Sequence, residues 1–208
     1  MIAIFMESSK ERELSFDIRR TVILGAYIRE WKMPEYRVIL SKPETAVHVE
    51  VYYFPADDEN AVARFATVGL SATHRPNGQA VGTEWVMALT SDLGGESVDR
   101  IFTYLCDLIA HHIESAGDSR IPRVMEESRL APANWTTTAF LLDELRGESE
   151  ELEEIQVGSE RAQILWALPV TAQEAALIIN EGVEAFDSYI EEIEHSIIDP
   201  RRPLGNAH

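Results

Sequence analysis

The fold class of this chain is decided by three apolar segments between Val47 and Leu93: VHVEVYYF (47–54), VARFATVGLS (62–71) and GTEWVMAL (82–89). In the first segment, valines alternate with polar and aromatic residues, which is the period of two that a β-strand produces. The second segment predicts a strand from Arg64 to Ser71. The third is a near-continuous apolar run and predicts a buried strand from Thr83 to Thr90. A Pro-Asn-Gly sequence at 76–78 indicates a turn between the last two strands.

The rest of the chain adds helices and further strands around this stretch. Helices are predicted at Leu14–Trp31, Val98–His112, Thr171–Gly182 and Val183–His195. Strands are predicted at Tyr36–Leu40, Thr136–Leu142, Glu151–Val157 and Arg161–Val170, with a loop at Ala116–Asn134. Ser97 is expected to cap the second helix, and a capping box of Thr171 and Glu174 begins the third. Because helices and strands do not alternate regularly, we expect an α+β fold with a mostly antiparallel mixed sheet and helices packed against it.

The charge of the chain narrows the choice of partners. The 208 residues include 36 acidic and 18 basic residues, which gives a net charge of −18. Such a surface repels phosphate backbones, so we expect no nucleic-acid partner, whereas it suits solubility and attracts a basic protein. No apolar run approaches the roughly 18 residues that cross a bilayer, and no secretory signal is recognisable. We therefore predict a cytoplasmic protein without membrane contact.

Motifs that carry catalysis are missing from the sequence. It has no phosphate-binding glycine loop, no GxSxG and no HExxH pair, and Cys106, its only cysteine, is expected to be a small buried apolar residue. We therefore expect no cofactor, no metal site and no enzymatic activity. One alternative stays open. His48 and Glu50 share one strand face, and with His74 they could form a diffuse acid–base site, although both are more simply read as solvent-facing polar residues.

The densest group of charges is DELRGESEELEE at 143–154, with seven acids and one base. It lacks the D-x-[DN]-x-[DN]-G pattern of a calcium loop. Two interpretations remain: a solvated, flexible loop between strands, or an acidic rim for a basic protein partner. For the second interpretation, the expected contact residues are Glu148, Glu150, Glu151, Glu153 and Glu154.

Two regions contain a characteristic series of motifs. In the first, a strand ends in Gly-Leu-Ser and Gly-x-Glu begins the next strand. In the second, a strand that ends in Pro is followed by a T-x-x-E helix start, a glycine that opens another helix, and a final Asp-Pro. The residues of these motifs are Gly69, Leu70, Ser71, Gly82, Glu84, Pro169, Thr171, Glu174, Gly182, Asp199 and Pro200. In their order and spacing they resemble the Suppressor of fused (SUFU) domain family, in its bacterial single-domain type, and the resemblance extends over about 14–202.

The resemblance implies one SUFU-like domain at 14–202, between an N-terminal extension (1–13) and a mobile tail (203–208). It also implies a non-enzymatic protein-binding module. Animal members capture a transcription-factor peptide as an added strand between two domains, and bacterial single-domain relatives resemble immunity proteins of toxin systems. The loop after Gly-Leu-Ser opens with Ala72, Thr73 and His74 instead of acids, so the peptide site of the animal proteins is not transferred to this chain.

We therefore expect an immunity-type protein that binds and occludes a toxin domain, with a basic protein as its partner. Two alternatives stay open beside it. One is the diffuse acid–base enzyme around His48, Glu50 and His74, and the other is a scaffold or homodimer subunit. The sequence does not decide the oligomeric state.

Overall fold

The computed structural model describes residues 9–42, 47–58, 61–115, 121–125 and 127–203. Within these ranges it contains four α-helices and eight β-strands. The helices are α1 (Ser9–Trp31), α2 (Val98–Glu114), α3 (Ala172–Glu181) and α4 (Val183–Glu192). The strands are β1 (Tyr36–Lys42), β2 (Val47–Phe54), β3 (Val62–Val68), β4 (Thr83–Thr90), β5 (Arg123–Met125), β6 (Ala139–Glu144), β7 (Glu154–Val157) and β8 (Glu160–Val170).

The strands form one mixed sheet in the order β1-β2-β3-β4-β8-β6-β5, with β7 also beside β8. Among the described strands, only β4 and β8 run parallel, and the remaining pairs are antiparallel. β6 and β7 lie end to end along β8, since Glu144 pairs with Leu165 and Glu154 with Gln163. Residues 145–153, which we call the acidic excursion, leave the sheet between them.

Helices cover both faces of the sheet, so the fold has three layers, with the sheet in the middle. On β8, Leu165 and Ala167 pack into the core beneath α2, whereas Ile164 and Trp166 point to the opposite face. That opposite face is covered by α1 over one half and by α3 with α4 over the other. Burial on both faces explains the near-continuous apolar sequence of the central strands. The predicted α+β class is confirmed.

Elements with strong local signals lie where the sequence predicts them. The strand Thr83–Thr90 has the predicted bounds, Ser97 caps α2, and Thr171 and Glu174 form the capping box of α3. Several ends differ. α1 begins at Ser9 instead of Leu14, and α4 ends at Glu192 instead of His195. These differences lie at element ends, where local sequence signals are weakest.

Three interior predictions need correction. β3 ends at Val68 instead of Ser71, because Gly69 turns the chain with a φ of 98°. The region predicted as a loop at 116–134 contains the short strand β5, although 116–120 and 126 lie outside the described residues. The sequence predicts a strand from Glu151, but Glu150–Leu152 forms a 3-10 turn and β7 begins only at Glu154.

The predicted division into one domain with two short ends stays a prediction. Residues 9–13 of the predicted extension already belong to α1. Residues 1–8 and 204–208, which make up the rest of the extension and nearly all of the tail, lie outside the part of the chain that the structure describes.

Candidate functional site

The first group of motif residues surrounds a buried carboxylate at the start of β4. Glu84 is fully buried and accepts five hydrogen bonds. They come from the backbone amides of Gly69 (3.0 Å), Leu70 (3.1 Å) and Ser71 (3.0 Å), and from the hydroxyls of Thr67 (2.7 Å) and Ser71 (2.6 Å). Charge-assisted hydrogen bonds of this kind compensate the cost of burying the charge. The Gly-Leu-Ser turn is therefore folded around Glu84.

The same turn fastens α1 to the sheet. The buried guanidinium of Arg19 donates to the Ser71 hydroxyl at 2.8 Å and also binds Glu160 of β8. Gly69 lies close beneath α1, because a Cβ at this position would be 2.7 Å from both the carbonyl oxygen of His48 and the ring of Phe16. The first group of motif residues thus holds the fold together and leaves no polar atom of Glu84 facing solvent.

The second group of motif residues surrounds a second buried carboxylate, at the start of α3. Glu174 closes the capping box by accepting from the Thr171 amide at 2.7 Å. Its two oxygens also accept from the buried guanidinium of Arg202, at 2.9 and 2.6 Å. Arg202 further donates to the carbonyl oxygens of Pro169 and Ile197. The C-terminal segment is thereby clamped onto the beginning of α3.

Sequence reasoning missed Arg202, and it also missed Arg19. A signal existed for Arg202, since a buried glutamate such as Glu174 needs a cation or several donors. It did not exist for Arg19, which binds the Ser71 hydroxyl and the exposed Glu160. The motif residues Gly182, Asp199 and Pro200 lie around this clamp: Gly182 separates α3 from α4 with a φ of 94°, and Pro200 accepts hydrogen bonds from Thr136 and Thr137. Gly82 has a φ of 77° just before β4.

The proposed acid–base group does not come together. His48 and Glu50 face the α1 side of the sheet, where their closest nitrogen and oxygen atoms are 3.9 Å apart. His74 lies in the loop before β4 and lines a cavity together with Val47, whose side chain points to the other face. The geometry therefore separates His74 from the other two residues.

Glu50 is not solvent-facing, which corrects the simpler interpretation of this pair. Its side chain is only 2% exposed, because Arg37 of β1 donates to it at 3.0 Å and Arg20 of α1 lies 3.6 Å away. The hydroxyl of Tyr52 also donates to Glu50. Glu50 is thus the centre of a polar cluster that joins α1, β1 and β2.

The acidic excursion is anchored to the rest of the fold at three points, although several of its acidic side chains are solvated. Leu152 is buried. Glu148 accepts from Trp31 Nε1 at 2.8 Å and from Arg64 Nε at 2.6 Å. Arg146 binds Asp143 of β6 and Asp187 of α4. The hydrogen bond to Asp187 is the main reason why the pKa of Arg146 is raised.

These contacts divide the five predicted contact residues. Glu148 is turned inward, whereas Glu150, Glu151, Glu153 and Glu154 are exposed. Glu154 pairs with Arg161 at 2.9 Å. The other three therefore carry most of the accessible negative charge of the excursion.

Negative charge is concentrated in the last third of the chain. Residues 141–208 include 16 acidic and 4 basic residues, a net charge of −12 out of −18. All four bases in this part, Arg146, Arg161, Arg201 and Arg202, already pair with carboxylates. These four bases are thus already paired, so the other exposed acids of the excursion and of α4 are not neutralised by them.

A cavity of about 260 Å³ lies between the last turn of α2, the loop before β4, and the ends of β1 and β2. Its walls include the apolar side chains of Leu40, Val47, Ala110 and Ile113. Behind it, the buried imidazole of His112 lies between two guanidinium groups: Arg75 is 3.1 Å from Nε2 and Arg123 is 3.3 Å from Nδ1. Burial, reinforced by these two cations, lowers the pKa of His112 to about 3.

The described residues offer neither a reactive thiol nor a metal site. The thiol of Cys106 is half-buried, and burial raises its pKa, so it is not a ready nucleophile. No group of three or more His, Cys, Asp or Glu side chains within the described ranges is arranged to hold a metal ion. Of the helices that the structure describes, none is long and apolar enough to cross a bilayer.

The two motif clusters, built on Glu84 and Glu174, lie within one stretch that a family profile matches. The profile of Suppressor of fused protein (SUFU) matches residues 45–203. The chain belongs to the Suppressor of fused family. The matched stretch begins just before β2, so α1 and β1 precede it. No curated protein matches the chain in sequence.

Solved SUFU structures share the fold at low sequence identity. A SUFU homologue from Neisseria gonorrhoeae has a TM-score of 0.69 and 15% identity, and the match covers 92% of this chain and 99% of that one. A chain in the crystal structure of the Sufu–Fu complex has a TM-score of 0.61 and 10% identity, and the match covers 92% of this chain and 90% of that one. Drosophila Suppressor of fused has a TM-score of 0.60 at 12% identity, and this chain spans 50% of that longer one.

Proposed function

We propose that this protein is a non-enzymatic protein-binding module that attaches to a basic protein through an acidic surface. That surface is formed by Glu150, Glu151, Glu153 and Glu154, together with Glu184 and Glu191 of α4. The observation that carries the proposal is the net charge of −12 in residues 141–208, where every base already has an acidic partner. Family membership supports a binding role, since one of the similar structures is a Sufu–Fu complex.

The acidic excursion and α4 adjoin at one ion pair. Arg146 of the excursion binds Asp187 of α4. Glu184 and Glu191 are three residues before and four residues after Asp187, so they lie on the same side of the helix. The contacts of Leu152 and Glu148 hold the excursion in place before a partner arrives, which reduces the entropy lost on binding.

The physiological role that fits this surface is that of an immunity-type protein. Complementary charge increases the rate of association with a basic toxin domain, such as a nuclease, and favours the correct orientation. Inhibition would then be steric: the bound module covers the surface through which the toxin reaches its substrate, and no covalent step is needed. The separation of His74 from His48 and Glu50 speaks against an acid–base site formed by these three residues, which supports a non-enzymatic role.

Binding to the protein encoded by the neighbouring gene tests the proposal. The purified full chain is titrated with that protein by calorimetry, at low and at physiological salt. The variant Glu150→Lys/Glu151→Lys changes the acidic surface, and Glu13→Lys/Asp99→Lys is a control with the same net charge, −14, on exposed sites elsewhere. We expect at least about tenfold weaker binding for the first variant and less than about threefold for the control.

Two results would contradict the proposal. One is the absence of binding to any basic protein encoded beside this gene. The other is equal weakening by the two variants, which would mean that only net charge matters and that no defined surface exists.

A further inference from the structure

β1 forms one border of the sheet and exposes large apolar side chains. It pairs with β2 on one side, and no strand among the described residues pairs with its other side. Tyr36 and Ile39 are 55% and 50% exposed, and Met33, just before the strand, is 69% exposed. An open edge with exposed apolar residues is the kind of surface to which another β-strand adds.

The two ends of β1 complement each other. Tyr36, Val38 and Leu40 point to the α2 side of the sheet, because alternate residues of a strand share a face. Leu40, at one end, forms part of the wall of the 260 Å³ cavity. At the other end, the ring of Tyr36 stacks against Tyr53 of β2 on one side and leaves 55% of the residue exposed. The cavity is smaller than the roughly 300–1,000 Å³ of a small-molecule site and suits one large side chain.

We propose that β1 pairs in antiparallel fashion with β1 of a second copy of this chain, about a two-fold axis at Val38. In such a pair, each residue lies opposite the one that is equally far from Val38 on the other side. Tyr36 of each copy is then opposite Leu40 of the other, on the same face, and its ring fills the partner's cavity. One contact, made twice, thus uses both the exposed ring and the cavity.

Other centres for the pairing fit less well. With the axis at Ile39, Leu40 would face Val38, whose side chain already packs into its own core, and the cavity would stay empty. With the axis at Val38, Arg37 faces Ile39 on the opposite side of the sheet. Its charge does not oppose pairing, because Glu50 binds the guanidinium at 3.0 Å.

This inference is independent of the acidic surface, since β1 lies at the border of the sheet and the acidic excursion is inserted along β8. A single pair of seven-residue strands buries little area, so the dimer should be weak, with a Kd on the order of 10–100 µM.

Sedimentation equilibrium of the full chain between about 5 and 500 µM measures this association. Tyr36→Ala removes the ring that fills the cavity and should weaken dimerisation at least about tenfold, as the loss of an aromatic side chain buried in a partner's pocket does. The matched control is Ile179→Ala, which truncates an apolar residue of 70% exposure on α3. It should leave the Kd unchanged within about twofold.

Disulfide cross-linking tests the register separately, in a Cys106→Ala background. Val38→Cys should give a covalent dimer on oxidation, because residues at the axis face each other within disulfide reach, about 4.5–5.5 Å between Cα atoms. Ile39→Cys should cross-link at least about fivefold more slowly, since the two cysteines would be diagonal neighbours. A chain that stays monomeric at 500 µM overturns the proposal, and so does a dimer that cross-links faster through residue 39 than through residue 38.

Discussion

Replacement of Glu84 by glutamine should destabilise the fold by about 3 kcal/mol. One carboxylate oxygen accepts from the amides of Gly69 and Ser71 and from the Ser71 hydroxyl, and the other accepts from the Leu70 amide and the Thr67 hydroxyl. Glutamine keeps only one of these oxygens, so its NH₂ group faces at least one backbone N–H. An unsatisfied buried donor costs about 1–3 kcal/mol, and the remaining hydrogen bonds lose their charge assistance.

Urea unfolding followed by circular dichroism measures this effect. Globular domains are stable by about 5–15 kcal/mol, so the variant Glu84→Gln should still fold and give a two-state curve with an unchanged m-value. Glu153→Gln is the matched control: the same substitution at an exposed glutamate should cost less than about 0.5 kcal/mol. A loss below about 1 kcal/mol for Glu84→Gln would refute the view that the carboxylate organises the turn.

Three further predictions concern stability. Gly69→Ala should lower the free energy of unfolding in urea by about 2–4 kcal/mol, because the new Cβ would be 2.7 Å from a backbone oxygen. The control Gly78→Ala also has a positive φ, 80°, but no described atom lies within 4 Å of its Cβ, so it should lower the free energy of unfolding by only about 1 kcal/mol. Equal losses for the two variants would contradict the close approach at Gly69. Arg202→Ala should lower the free energy of unfolding by about 3–5 kcal/mol, because it leaves Glu174 buried without its cation. A loss below about 1 kcal/mol would contradict the stabilising role of the Arg202–Glu174 ion pair. The His112 ring, with a pKa of about 3, should stay neutral in NMR titrations down to pH 4. An unfolded histidine titrates near pH 6.5. The stability that the neutral ring contributes is therefore complete above pH 6.5 and is lost as the pH falls toward 3. His112→Gln should consequently make the free energy of unfolding fall less steeply between pH 6.5 and pH 3.

Local signals predicted the parts of the fold that depend on neighbouring residues alone. The strand Thr83–Thr90 is a continuous apolar run after a turn, and the capping box of α3 needs only two residues three positions apart. β5 was missed because a three-residue strand is too short to show a period. Its place in the sheet depends on β6, its neighbour in space.

The candidate site was harder to predict because burial of charge depends on distant partners. Glu50 looks solvent-facing within its own strand, and only the positions of Arg37 and Arg20 show that it is covered. Likewise, Glu148 is one of seven acids in its segment. Nothing in that run distinguishes it from Glu150, yet Trp31 and Arg64 turn it inward.

The residues that identify the family and the residues proposed to bind a partner are separate. Ser71, Glu84, Thr171 and Glu174 are buried and bond to one another or to a buried arginine, so they stabilise the fold. Glu150 and its exposed neighbours make few contacts within the chain. Family membership therefore accounts for the fold, and specificity for a partner must come from the surface.

It follows that Glu84→Gln should lower stability while the folded fraction binds normally, and that Glu150→Lys/Glu151→Lys should weaken binding with little loss of stability. If both variants lowered affinity and stability in proportion, the residues that bind a partner and the residues that stabilise the fold would not be separate.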